Sequence, residues 1–295
     1  MDFDDMRERI ATGEGFIAAL DQSGGSTPKA LKGYGIEDGA WSGDEEMFAL
    51  IHEMRQRIIE SPCFGNGKVI GAILFEKTMD GESGGKSVPA RLAERGIVPF
   101  LKVDKGLEDE EDGVQLMKPM PLLEEVCTRA GKKGVFGTKM RSVIKSANAR
   151  GIASIVKQQF EEGKRILSTG LMPMLEPEYD IHAADRDEGE QILFEEILAH
   201  LEQLPSRSQV MLKLSIPAQS GLYAPLVKHE KVLRVVALSG GYSTEEACAK
   251  LADNPGMIAS FSRGLLQDLR HGQSDTEFDE TLGAAIDQIH AASVS

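Results

Sequence analysis

Eight short apolar runs, most of them closing on a charged residue, are separated by longer segments whose apolar positions repeat at helical intervals. They are GFIAALD (15–21), VIGAILFE (69–76), VPFLKVD (98–104), GVFGTKMR (134–141), LMPMLEPE (171–178), VMLKLSI (210–216), VVALSGG (235–241) and MIASFSR (257–263). Near-continuous apolar strands alternating with helices indicate a parallel sheet covered by helices. Eight such units predict a (β/α)8 TIM barrel rather than an open sheet. Residues 187–204 show the helical half of the pattern. Leu193, Ile197, Leu201 and Leu204 form one stripe, with Ile192, Glu195, Glu196 and Ala199 around the turn. Ser243 and Glu246 have capping-box spacing and predict the start of the helix after the seventh strand. No low-complexity linker divides the chain, so one barrel domain over 1–295 is expected, although length alone would suggest two at about 150 residues each.

Composition narrows the partners. A formal net charge of -14 argues against general affinity for nucleic acid or anionic membrane, so any bound anion must meet a local cluster of cations. The acidic start MDFDDMRERI is unlike a secretory or mitochondrial leader, and no stretch approaches about 20 apolar residues; a soluble cytoplasmic protein is expected. Cys63, Cys127 and Cys248 lie far apart with no CxxC pair and read as reduced small hydrophobes. The six histidines never fall into a metal-ligand spacing, so no transition metal is expected. EDEED, 108–112, reads as a solvated acidic loop.

Strand ends carry the chemistry of such barrels, and residues two apart on a strand share a face. Lys102 and Asp104, Lys139 and Arg141, and Glu176 and Glu178 are such pairs, joined by Asp21 from the first strand and Lys213 from the sixth. Pointing outward they would be buried under helices; pointing inward at the mouth they reach one another and some water. A single pair would be an ordinary salt bridge. Charges from five strands converging on one mouth are costly unless function keeps them. Lys213 is the most anomalous, standing between Leu212 and Leu214. A paired lysine, or one whose stem reaches water, is the commoner outcome for a lone strand lysine. Otherwise a buried ammonium tends to give up its proton, and the neutral amine is a nucleophile. Its Schiff base with a ketone is an electron sink for breaking the neighbouring carbon bond.

LSGGYS, 238–243, is a glycine turn between strand and helix, where backbone amides can meet a phosphate, and SFSRG, 260–264, adds Arg263 from the next strand. Glycines there could equally make only a tight turn; the adjacent arginine favours phosphate. DGESGGKS, 80–87, imitates a nucleotide loop, but Asp80 replaces its first glycine and would repel phosphate. GNGKVIG, 65–71, precedes its strand where a dinucleotide fingerprint should follow one.

The chain resembles class I fructose-bisphosphate aldolase over most of its length. AALDQSGGSTPKAL (18–31), KVDKG (102–106), GTKMR (137–141), MLEPE (174–178), MLKLS (211–215), LSGG (238–241) and SFSRG (260–264) are similar to the family's motifs in the family's order. The resemblance implies that Lys213 forms the Schiff base and that Glu176 is the acid and base that dehydrates the carbinolamine. Lys139 is then the neighbouring cation favouring the neutral amine, Asp21 the carboxylate that orients substrate and helps take the C4 hydroxyl proton, and Glu178 a supporting carboxylate. Ser239, Gly240, Gly241, Arg263 and Gly264 resemble the cradle for the ketose C1 phosphate, and Ser26, Lys102 and Arg141 the contacts for the other phosphate.

Three departures suggest a bacterial-type member. Gln22 stands where animal members have glutamate, Arg263 precedes Gly264 whereas the animal phosphate arginine follows that glycine, and HAASVS lacks the animal C-terminal tyrosine. The implied reaction is metal-independent, reversible cleavage of fructose 1,6-bisphosphate to dihydroxyacetone phosphate and glyceraldehyde 3-phosphate in glycolysis and gluconeogenesis. The resemblance also implies a homo-oligomer. Another phosphosugar such as tagatose 1,6-bisphosphate, or a noncatalytic barrel binding phosphosugar or a partner, remains the alternative.

Overall fold

The computed structural model describes residues 1–295. Eight parallel strands follow one another around a single sheet: β1 (Phe16–Leu20), β2 (Val69–Leu74), β3 (Val98–Lys102), β4 (Gly137–Ile144), β5 (Met172–Tyr179), β6 (Val210–Ser215), β7 (Val232–Leu238) and β8 (Ile258–Ala259). Each pairs with the next, and β8 returns alongside β1, so the sheet is a nearly closed (β/α)8 barrel as the apolar runs predict. The main helices are α1 (Phe3–Thr12), α2 (Ser26–Gly33), α3 (Asp44–Glu60), α4 (Val88–Glu94), α5 (Leu123–Lys132), α6 (Ala149–Ser168), α7 (Arg186–Glu202), α8 (Thr244–Ala252) and α9 (Asp275–Ser293). In α7 the expected stripe of Leu193, Ile197 and Leu201 is buried, and Leu204 is buried just beyond the helix.

The barrel interior changes character from one end to the other. At the N-terminal end Ile17, Ile73, Val98, Phe100, Met174, Met211, Val236 and Ile258 form an apolar plug, closed below by Met6 and Ile10 of α1. Each such side chain contributes about 1.5–3 kcal/mol by leaving water. Gly137 belongs to this layer because a Cβ there would run into the Met172 carbonyl and come within 3.0 Å of the Phe100 ring. Two residues further along the strands, on the same inward face, Phe100 gives way to Lys102, Gly137 to Lys139, Met174 to Glu176 and Met211 to Lys213. The plug fixes where the charged layer begins.

Two local expectations change in detail. The eighth strand is shorter than its apolar run: Ser293 Oγ accepts from the Ala259 amide at 3.0 Å, and Arg263 already opens a short helix, Arg263–Leu266. Ser243 Oγ accepts from the Glu246 amide at 3.2 Å, but no bond returns from the Glu246 side chain, so the cap is one-sided. The false nucleotide loop is a hairpin, Glu82–Ser83 against Lys86–Ser87, turning on Gly84 and Gly85 at φ 57° and 75°. Residues 108–112 are exposed, as expected.

Candidate active site

Four charged side chains meet where the interior stops being apolar. The Lys213 ammonium lies 3.0 Å from Glu176 Oε1, Lys139 Nζ lies 3.0 Å from Glu176 Oε2, and Lys139 also meets Asp21 Oδ2 at 2.6 Å. The lysine and glutamate side chains are only 4–5% exposed and that of Asp21 11%, so the two cations and two anions neutralise one another in low dielectric. Burial alone would raise both carboxyls. It is overcome by the lysines, Lys139 more than Lys213, which hold Asp21 and Glu176 below the usual carboxylate range. Burial disfavours the Lys139 ammonium, but Asp21, then Glu176, then Asp104 outweigh it and keep Lys139 protonated.

Lys139 and Lys213 converge on the same glutamate, and Lys139 is further held by Asp21. Burial between leucines is therefore only half of the Lys213 environment, because Glu176 stands within proton-transfer distance of its nitrogen.

A second tier lies nearer the solvent. Lys102 Nζ meets Asp104 Oδ1 at 2.6 Å, and Asp104 Oδ2 accepts from the Arg141 amide at 3.2 Å. Arg141 is ion-paired to Glu178; burial works against its charge, but Glu178, together with Glu176 and Asp104, outweighs it and raises its pKa. Both cations expected to contact the phosphate other than that on C1 thus already hold a carboxylate. On the opposite rim, Gly240 and Gly241 adopt φ 61° and 132°, a backbone that few other residues tolerate. A Cβ on Gly241 would lie 3.5 Å from Arg263 Nη2 and 3.7 Å from His182 Nε2, so the glycine loop, Arg263 and His182 border one space.

The fructose-bisphosphate aldolase class-I family profile matches residues 4–216. The chain belongs to the class-I fructose-bisphosphate aldolases. Among solved structures, this aldolase is similar to the fructose-bisphosphate aldolase of Plasmodium falciparum, with 19% identity, a TM-score of 0.74 and coverage of 99% of this chain and 93% of the other, which supports the barrel fold. A sugar phosphate isomerase/epimerase of Parabacteroides distasonis shares 11% identity over 96% of each chain at a TM-score of 0.45, too distant to carry an argument.

The aldolase brings Asp21, Lys139, Glu176 and Lys213 into contact, pairs Arg141 with Glu178, and sets Lys102 beside Asp104. Ser26 stands apart from these charges: it is exposed, and its hydroxyl is engaged locally with Ser23, donating to the carbonyl at 2.8 Å and accepting from the amide at 2.9 Å. Gly264 is buried against Thr244, 3.1 Å from its Oγ1 to a Cβ placed there. Sequence reasoning missed Arg55 of α3, which is 1% exposed beneath the end of β1. Burial lowers its pKa to about 10 against the opposing field of Asp21. A signal was available, since Arg55 sits with Ile51, Met54, Ile58 and Ile59 on the apolar stripe of α3, the same kind of anomaly that marks Lys213.

Proposed function

We propose that residues 1–295 act as one catalytic barrel that cleaves fructose 1,6-bisphosphate through a Schiff base on Lys213. The observation that carries this is the buried Lys213 ammonium sharing Glu176 with Lys139. In the proposed cycle the Lys213 proton passes over the 3.0 Å gap to Glu176, and the neutral amine attacks the C2 carbonyl. Glu176 then returns a proton to the carbinolamine hydroxyl, which leaves as water, giving the protonated imine. Asp21 accepts the C4 hydroxyl proton. The C3–C4 electron pair moves toward the imine carbon and nitrogen, releasing glyceraldehyde 3-phosphate and leaving the enamine. Protonation at C3 and hydrolysis free dihydroxyacetone phosphate and restore the amine. Lys139, kept cationic by its two carboxylates, steadies the charge that develops between them.

The glycine loop with Arg263 is assigned to the C1 phosphate, and Lys102 and Arg141, with Ser26 from the neighbouring loop, to the other; substrate phosphate would exchange with Asp104 and Glu178 for these cations. No group of histidine, cysteine and acidic residues is arranged to hold a metal ion, and no helix is long and apolar enough to cross a membrane. With the family assignment, we read a cytoplasmic homo-oligomer acting without metal, whose activity persists in EDTA.

Borohydride reduction in the presence of dihydroxyacetone phosphate, followed by mass mapping, tests the reading. An adduct on Lys213 is expected in the wild type and none in Lys213→Met; a wild-type protein that traps nothing is a phosphosugar-binding barrel instead. Steady-state comparison with tagatose 1,6-bisphosphate tests the choice of sugar, fructose 1,6-bisphosphate being expected to have the higher kcat/KM.

A further inference from the structure

Arg55 is a buried cation without a carboxylate in ion-pair contact, and its bonds run toward the mouth. Nη1 donates to Thr78 Oγ1 at 2.7 Å, after β2, while Nη2 donates to the Gln22 backbone carbonyl at 2.5 Å and reaches Gln22 Oε1 at 3.3 Å, after β1. A guanidinium has only donors, so it fixes which end of the Gln22 amide faces it. The oxygen must face Arg55, and the NH2 group must face the other way. There it donates to the Ala19 carbonyl at 3.0 Å and to Ser262 Oγ, on the loop that presents Arg263.

The direction of this chain has a chemical consequence. Ser262 Oγ is the acceptor of the Gln22 bond and makes no other hydrogen bond within the protein, so its own proton is left as a donor. A phosphate offers only acceptors. We propose that Arg55 and Gln22 form a positioning relay that keeps the Ser262 hydroxyl oriented to donate to the substrate phosphate beside Arg263. This rests on the assignment of that rim to the ketose phosphate. The relay needs an amide at position 22, because one end must accept from Arg55 while the other donates to Ser262. It also gives a physical role to the residue by which the chain departs from the glutamate of animal members, and to an arginine that the proposed cycle leaves unused.

Gln22→Leu removes the relay while leaving the Arg55 bond to the residue 22 backbone carbonyl, and Arg55→Lys keeps the charge but loses the fork. In each, KM for fructose 1,6-bisphosphate is expected to rise about 5- to 10-fold with kcat within about twofold, the signature of one lost binding hydrogen bond. Competitive inhibition by inorganic phosphate should weaken by the same factor. Because both residues act through one serine, the double variant should be no worse than the weaker-binding single variant. An unmoved KM in Gln22→Leu, or losses that multiply in the double variant, overturns the relay. Thermal melts confirm that each variant is folded. Borohydride trapping on wild-type Lys213 separates the two levels: trapping with an unmoved KM sinks only the relay, whereas absence of trapping sinks the assignment of the site beneath it.

Discussion

The aldolase buries charge in two regions, and they are built differently. Along the N-terminal part of α7, Arg186 Nε donates to Glu190 Oε1 at 2.7 Å, Nη1 to the Tyr242 hydroxyl at 2.7 Å, and Nη2 to the Ile216 carbonyl; Glu190 Oε2 accepts from the Ala218 amide at 2.7 Å. Every arm of that pair is satisfied by a directed bond. At the mouth, one glutamate is shared by two lysines, and Glu176 Oε2 meets Lys139 at ion-pair distance without a well-formed hydrogen bond. Arginine cannot give up its proton under these conditions and suits a fixed brace; lysine can. The Arg186 pair braces the segments after β5 and β6 against the glycine loop after β7, while the mouth keeps its charges movable.

The sharpest way to break this contrast is to remove one member from each region. Lys213→Met should lower kcat/KM by at least about 10^4-fold with a normal fold, since the proposed cycle assigns the covalent step to that amine. Glu176→Gln should lower kcat by about 10^2- to 10^4-fold, the usual range for losing the acid–base role proposed for it. Arg186→Met should act in the other currency. Urea unfolding should show a loss of about 3–5 kcal/mol, because Glu190 is left as an uncompensated buried charge. Lys213 trapping should survive wherever that variant remains folded. A Lys213→Met enzyme that keeps its turnover, or an Arg186→Met enzyme as stable as the wild type, would erase the distinction.

Much of this was legible in the sequence because strand polarity changes at a fixed depth. The apolar runs set the barrel, and the charges at their ends, converging on one mouth, marked Asp21, Lys139, Glu176 and Lys213 as neighbours. Only part of the charge pairing was legible. Lys102 does meet Asp104, its neighbour two residues on, but Arg141 lies opposite Glu176 in the β4–β5 register and yet bonds Glu178. Those choices depend on side-chain reach in three dimensions. Arg55 was missed for a related reason: its partners are a hydroxyl, a backbone carbonyl and a side-chain amide far away in the chain, and none leaves a charge pattern in the sequence.

The smallest expected effect is also the most discriminating, because the two buried glutamates respond to pH in opposite senses. Burial raises the Glu190 carboxyl, and the Ala218 amide and Arg186 do not fully offset it. Burial also works against Glu176, but Lys139 and then Lys213 win and lower it. By linkage, the stability due to Glu176 is present above its unfolded pKa and is lost as pH falls toward its depressed folded value. The contribution of Glu190 is fully present below its unfolded pKa and is lost as pH rises through its elevated folded value. Relative to wild type, the stability deficit of Glu176→Gln should therefore shrink between pH 7 and about pH 4, and that of Glu190→Gln should grow. Urea unfolding of the three proteins at both pH values reads the two slopes directly. Parallel trends would mean that the lysines at the mouth do not govern the ionisation of Glu176, and the division between a movable charge cluster and a fixed brace would fall with it.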